Sequence, residues 1–261
     1  MYDANLGRFF TQDRFSQKYQ DLSPYQYVAN NPIKLIDING DSIWFTNKYD
    51  DDGNLSGVVM NVTGKVLNGT DKDVDIGEAI SDITEGIESS FNGTIKVNGQ
   101  EVSFTSNVQI TEAESIDDVE ESDHLIVLAD GSGEAGTARG TSNQFGGKVA
   151  HAYVGDYPTN AWYSPGWSNT RTLIHEFGHL TNLEHVRNTF GNLMKQGGSL
   201  SQLKNWQLQK VYDKRNQLNQ GANVVKDYAG RKIPNPAVGF SGGTISSGGL
   251  STKYFPYYTV K

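Results

Sequence analysis

The chain has 261 residues, no cysteine and a formal net charge of -8, with 36% hydrophobic and 20% charged residues. That length suits one large domain or a domain with an appendage, and the missing cysteines exclude disulfides, thiol catalysis and Cys-based zinc ribbons. No run nears the ~20 apolar residues of a bilayer span, and the polar start MYDANLGRF is not read as a signal peptide.

Residues 1–40 are rich in Tyr, Asn, Gln and Asp and keep no helical or strand period; Asn31-Pro32 and Asp37-Ile38-Asn39-Gly40 read as turns. Periodic segments run from 41 to about 220. Ser42 to Tyr49 and Val58 to Val66 are β-rich, and Asp50 to Asn54 between them reads as a hairpin loop. Its acids do not make a calcium loop, because Lys48 and Val59 stand where an EF-type loop needs acidic ligands. Ile76, Ile80, Ile83, Ile87 and Phe91 recur at helical spacing, which predicts a helix over 76–91 with one buried face. Thr94 to Thr105 brackets Asn98-Gly99, a strong hairpin signal.

His124 to Leu128 and Lys148 to Val154 read as short apolar strands. Between them Gly131-Ser132-Gly133-Glu134-Ala135-Gly136 matches G-x-G-x-x-G. A dinucleotide site needs those glycines to open a helix, and residues 137–147 (TARGTSNQFGG) have no apolar period, so the stretch reads as loop. From about 221 onward Gly, Ser and Pro dominate, and 221–261 reads as an extended tail whose aromatic end (Tyr254, Phe255, Tyr257, Tyr258) packs on the body. Strands, a helix, more strands and further helices predict an α+β fold. Residues 1–185 hold 28 of the 30 acids and 11 of the 22 bases, which leaves the remainder basic. Those bases are scattered, without the clustered stripe of a nucleic-acid reader, so no nucleic-acid partner is expected.

The segment that carries chemistry is Thr172-Leu173-Ile174-His175-Glu176-Phe177-Gly178-His179-Leu180-Thr181-Asn182-Leu183-Glu184-His185. Residues four apart on a helix differ by about 40° in direction and about 6 Å in height, so His175 and His179 can present two imidazole nitrogens to one ion. Glu176 is turned about 100° from His175, beside such an ion and able to take a proton from water there. Leu173, Ile174, Phe177 and Leu180 cover the other faces, and Ser168 or Asn169 is placed to cap the start. A continuing helix would turn His185 about 240° from His179, so the chain must break, and Asn182 is the residue best able to take the left-handed conformation that ends a helix. Three neutral imidazoles then leave a fourth tetrahedral position for water, the pattern of an open, catalytic zinc site. With 5 histidines in the chain, chance supplies an HExxH about 0.004 times, and ordinary helix histidines are the poorer explanation. Glu184 is an alternative third ligand, which the histidine spacing disfavours. His124 and His151 read as structural or surface residues.

The run HEFGHLTNLEH, residues 175–185, resembles the metzincin signature HExxHxxGxxH, with Asn182 where that family has glycine. Gly191-Asn192-Leu193-Met194 looks like the family's methionine turn, in which a methionine forms an apolar floor beneath the metal. Lys195-Gln196 lack the tyrosine ligand of some subfamilies. The resemblance implies a metzincin-like catalytic domain over 41–220: a twisted mixed sheet, the 76–91 helix, the active-site helix and a C-terminal helix over 199–218. Its Lys148 to Val154 strand would be the edge that pairs with extended substrate. It further implies a zinc endopeptidase with Zn2+ on His175, His179 and His185, Glu176 as the catalytic base, and Met194 and Asn182 structural at the site.

Tyr2-Asp3-Ala4-Asn5-Leu6-Gly7-Arg8-Phe9, Ser23-Pro24-Tyr25-Gln26-Tyr27-Val28-Ala29-Asn30-Asn31-Pro32 and Ile36-Asp37-Ile38-Asn39-Gly40-Asp41 resemble the end of an RHS repeat-associated core, without the proline of that family's DPxG. This second resemblance implies that 1–40 is the remnant of an RHS shell and that the domain after it is a toxin or effector, secreted or delivered with a larger product. Its implied partners are a protein or peptide substrate, the parent RHS shell and an immunity protein. Two other readings stay open: a non-catalytic metal-binding or adhesive module, and a zinc amidase acting on a non-protein substrate.

Overall fold

A short hairpin opens the chain: β1 (Tyr2–Asp3) pairs antiparallel with β2 (Arg8–Phe9). The computed structural model describes residues 2–3, 8–9, 43–69, 73–129, 140–153, 163–164, 167–187, 191–195, 202–226 and 230–235. The motifs at 23–41, the glycine run at 131–136 and the aromatic end at 254–258 lie outside the described residues. Contacts divide the chain into two units, Met1–Gly40 and Asp41–Lys261, and the large sheet and the helices belong to the second.

The Asp50 side chain organises the expected turn, accepting from the amides of Asp52 and Asn54 at 3.1 and 2.7 Å, while Gly53 takes a φ of 82°. It joins β3 (Ile43–Tyr49) antiparallel to β4 (Leu55–Asn68). The chain then enters α1 (Ile76–Ser90), capped by Asp75, whose carboxylate accepts from the Glu78 amide at 2.9 Å. Ala79, Ile83, Ile87 and Phe91 are buried, with Ile76 and Ile80 packed at the margin, so the apolar stripe lies where its spacing places it. Asn98 and Gly99, at φ of 53° and 84°, make the tight turn between β5 (Gly93–Val97) and β6 (Gln100–Ala113). After a 3-10 turn at Ile116–Asp118 come β7 (His124–Ala129), β8 (Gly140–Ser142) and β9 (Val149–Tyr153).

These strands form one mixed seven-stranded sheet in the order β5-β6-β4-β7-β9-β8, with β3 also on β4. β4 is long enough to serve two neighbours on one side: its first half pairs with β3 and its second half with β7. The β4–β6, β4–β7 and β7–β9 pairs are parallel, and β8 runs antiparallel to β9. Alternation along the strands separates two apolar layers. Val66, Ile126, Leu128, Ala150 and Ala152 join the helices in the main core, whereas Leu67, Leu125, Val127 and Val149 make a smaller one with Ile116, Val119 and Val224. His124 and His151 are buried strand residues. The fold is α+β.

A separate two-stranded hairpin, β10 (Tyr163–Ser164) and β11 (Trp167–Ser168), leads directly into α2 (Asn169–Leu180). α1 and α2 cross in close contact at Gly86, where any Cβ would collide with the Ile174 side chain.

Several expectations need correction. The strand at 148–154 is not the sheet edge; β8 takes that place, from a segment read as loop, because Gly140-Thr141-Ser142 pairs with Ala152-His151-Ala150 despite its weak strand pattern. The C-terminal helix is shorter than 199–218: α3 spans Asn205–Asp213, followed by a 3-10 turn at Arg215–Gln217. Residue 202 is held out of the helix because its carbonyl accepts from the Leu193 amide at 2.8 Å. Residues 221–235 are not simply extended tail: β12 (Val224–Lys226) and β13 (Lys232–Pro234) form a hairpin. Polar anchors hold it, with Asn223 Nδ2 donating to the Glu120 and Asp123 carbonyls at 2.6 and 2.8 Å and Lys232 paired with Asp117.

Side-chain amides close two of the sheet's outer backbone edges. Asn205 Oδ1 accepts from Thr94 N at 3.3 Å, and Gln209, one turn along α3, accepts from Lys96 N at 2.7 Å and donates to its carbonyl at 3.2 Å. Asn219 does the same for both backbone groups of Ile43, at 3.0 and 2.8 Å. Exposed strand edges otherwise invite pairing with another chain.

Candidate metal centre

α2 carries the HEFGH run and ends where geometry requires. Asn182 has a φ of 64°; its amide donates to the His179 carbonyl at 3.0 Å and the Leu183 amide to the Gly178 carbonyl at 3.0 Å. That pair of bonds, closing on a left-handed residue, is a Schellman motif. The Asn182 side chain adds a bond from Nδ2 to the Gln217 carbonyl at 3.0 Å. The side chain of Ser168 lies outside the described residues, as does that of Asn169, which is the first helical residue.

The break returns the chain so that His185 faces the helix. His185 Nε2 lies 3.0 Å from His175 Nε2 and 3.1 Å from His179 Nε2. Nitrogens bound at 2.0–2.1 Å around a tetrahedral zinc ion stand about 3.3 Å apart, so the two separations at His185 come within a few tenths of an ångström of what such an ion needs, and all three ligand atoms lie within 4.8 Å of one another. Two of the three second ring nitrogens face carbonyls: His175 Nδ1 lies 2.7 Å from the Leu193 carbonyl and His179 Nδ1 2.7 Å from the Leu183 carbonyl. A carbonyl can only accept, so each Nδ1 carries the proton and each Nε2 keeps a free lone pair for a metal. Burial is the main cause that holds His175 and His179 well below the ordinary histidine value, at about 4 and about 3, and His185 is lowered for the same reason. All three are therefore neutral ligand candidates at pH 7. His175 and His179 are buried and His185 is exposed, so the centre opens to solvent on the His185 side.

Glu176 is buried, and burial pushes its carboxyl up to about 8, near the range in which a group can both take and give a proton. It lies beside β8: a Cβ on Gly140 would stand 2.8 Å from Glu176 Cγ and 2.5 Å from Thr172 Cγ2. The glycine lets this edge strand approach α2 closely. Glu184 is exposed and ion-paired with Lys210 at 3.2 Å, outside the histidine cluster.

Met194 is fully buried against α2 at Gly178, where an added Cβ would overlap Met194 Sδ and come within 3.1 Å of Cε. Thus the glycine between the two histidines makes room for the methionine. The Met194 amide donates to Asn192 Oδ1 at 2.9 Å, and Asn192 forms a buried reciprocal amide pair with Gln207 of α3, at 2.6 and 3.2 Å. Arg171 Nη2 donates to the carbonyls of Leu193 and Lys195 at 3.1 and 3.0 Å. Phe145 meets the His179 ring edge-on, centroids 5.3 Å apart.

The structure brings together His175, His179 and His185, with Glu176 and Met194 on and against the same helix, and leaves His124 and His151 apart in the sheet. Sequence reasoning missed Arg171, Gln207 and Gly140, and it named Asn192 only as part of the methionine-turn motif. Gly178 alone left a signal, since glycine inside a helix costs about 1 kcal/mol and calls for a packing reason.

No family model matches the chain, and no curated protein matches it in sequence. Among solved structures it is similar to an archaemetzincin from Methanopyrus kandleri, with 11% identity over 59% of this chain and 95% of that one, at a TM-score of 0.40. It is also similar to metalloproteinase-II from Bacteroides fragilis, with 13% identity over 61% of this chain and 54% of that one, at a TM-score of 0.36.

Proposed function

We propose that the chain is a zinc-dependent endopeptidase of metzincin type, with zinc held by His175, His179 and His185. The observation that carries this reading is the triangle of three Nε2 atoms, 3.0 and 3.1 Å from His185 to its partners, with two of the opposite nitrogens tied to carbonyls. Zinc bound there supplies a Lewis acid that polarises a carbonyl and makes water acidic near neutral pH. Glu176 takes the proton of the attacking water and passes it to the leaving amine nitrogen, a role that suits a buried carboxyl raised to about 8. The edge strand β8, lying against Glu176, can pair with an extended peptide and hold its scissile bond beside the centre. Asn182 supplies the helix break and Met194 the apolar floor.

The RHS-like motifs of residues 1–40 support a setting in which this peptidase is the effector part of a larger secreted or delivered product, with an immunity protein as partner. The test of the chemistry is digestion of a peptide library with and without chelator, alongside Glu176→Gln and His179→Ala. Cleavage should be lost with chelator and in both variants, while Glu176→Gln keeps one zinc and His179→Ala loses it. A Glu176→Gln protein that cleaves like wild type would refute the assignment. Zinc uptake without cleavage of any peptide would favour the non-catalytic module, and cleavage of peptidoglycan or small amides alone would favour the amidase.

A further inference from the structure

We propose that Arg171 is a positioning residue of the metal centre, setting the orientation and donor strength of His175 through the carbonyl the two residues share. The inference rests on the zinc reading above. Arg171 lies one helical turn before His175 on α2, and both side chains reach the 191–195 turn. The Leu193 carbonyl accepts from His175 Nδ1 at 2.7 Å and from Arg171 Nη2 at 3.1 Å, and the same Nη2 donates to the Lys195 carbonyl at 3.0 Å. A carbonyl oxygen has two lone pairs, and here both are used.

The shared carbonyl has a mechanical and an electronic effect. First, the guanidinium ties both sides of Met194 to α2, so the carbonyl that orients His175 cannot rotate away. The opposite side of the turn is held by the Asn192–Gln207 amide pair and by the Val186 amide donating to the Met194 carbonyl at 3.0 Å. Second, a cation on the Leu193 oxygen draws electron density from it and weakens its pull on the Nδ1 proton. Nη2 carries two N–H groups fixed in the guanidinium plane, one for each carbonyl, whereas a lysine ammonium rotates freely and does not hold that direction.

The experiment compares wild type, Arg171→Met, Arg171→Lys and Ile83→Val, the last a core change on α1 outside the centre. Zinc affinity is read by competition with a chromogenic chelator, and the His175 Nδ1–H resonance is read in the metal-free, histidine-labelled protein. Arg171→Met should bind zinc roughly 10- to 100-fold more weakly, because the turn no longer fixes the carbonyl that orients His175, and this loss outweighs the gain in donor strength from a carbonyl that serves His175 alone. Its Nδ1–H resonance should move, because Leu193 then serves His175 alone. Arg171→Lys should recover part of the affinity, and Ile83→Val should melt earlier with zinc affinity unchanged. Wild-type affinity with an unmoved resonance in Arg171→Met overturns the proposal while the zinc site stands. So does an affinity loss matched by Ile83→Val. A wild type that takes up no zinc overturns the zinc reading itself. Should Arg171→Met not fold, Arg171→Lys decides: unchanged affinity and resonance refute the role, and an intermediate loss supports it.

Discussion

Gly178→Ala tests whether Met194 is wedged against α2. Elsewhere in a helix this change should stabilise by about 0.8–1.0 kcal/mol, because alanine loses less backbone freedom on folding. Here the new methyl would overlap Met194 Sδ and stand 3.1 Å from Cε, so the methionine must leave its fully buried slot. Overpacking of this kind costs about 1–3 kcal/mol, which outweighs the helix gain and gives a net loss of about 0–2 kcal/mol. For a domain of this size that is a fall in Tm of roughly 0–8 °C. The displaced methionine also strains the 191–195 turn that orients His175, so zinc affinity should fall with stability. Met194→Ala alone should cost about 2–5 kcal/mol through the cavity it leaves. In the double variant the added methyl occupies part of that cavity, so the two changes together should cost less than the sum of the singles, by about 0.5–3 kcal/mol. Thermal melts and chelator competition on the four proteins complete the cycle. A Gly178→Ala protein about 1 kcal/mol more stable than wild type, with unchanged zinc affinity and additive effects in the double variant, would refute the reasoning.

The same geometry sets other outcomes. Asn182→Ala should cost about 1–3 kcal/mol, for the left-handed backbone and the lost bond to Gln217, whereas Asn182→Gly should stay within about 1 kcal/mol of wild type because glycine takes that φ freely; denaturant midpoints distinguish them. His124 and His151 are buried, and burial lowers them to about 3 and about 4. The unfolded chain protonates both near 6.5 while the native state resists, so their stabilisation is fully present above pH 6.5 and lost as pH falls towards 4 and then 3. Each contributes a slope of up to about 1.4 kcal/mol per pH unit in that window; denaturation at pH 7 and pH 5 should show it, and His124→Phe should lessen it by one histidine's share. Asn205→Ala with Gln209→Ala uncovers the β5 edge, so hydrogen exchange at the Thr94 and Lys96 amides should accelerate and larger species should appear by light scattering; unaltered exchange would contradict the edge-closing role.

The features legible in the sequence were those dictated by nearest neighbours along the chain. Helix pitch alone puts His175 and His179 on one line, Asn182 marks the break because asparagine tolerates a left-handed backbone, and Asn98-Gly99 and Asp50–Asn54 announce their turns. The apolar stripe of α1 is read the same way. By contrast, β8 could not be recognised as the sheet edge, since a glycine-led strand has no alternation to read and nothing in a strand's period names its neighbour. The length of α3 was decided at residue 202, by a backbone bond to Leu193.

Sequence by itself therefore determined which side chains meet: three histidines whose spacing brings their ring nitrogens together only if the helix stops at Asn182. Tertiary structure alone decided how those histidines are held. The proton on His175 Nδ1 is placed by a carbonyl 18 residues away, shared with Arg171, and the turn bearing it is locked through Asn192 to Gln207 on another helix. Hydrogen bonds between distant backbone and side-chain groups leave no periodic trace, because any carbonyl can accept and only folding determines which one is near.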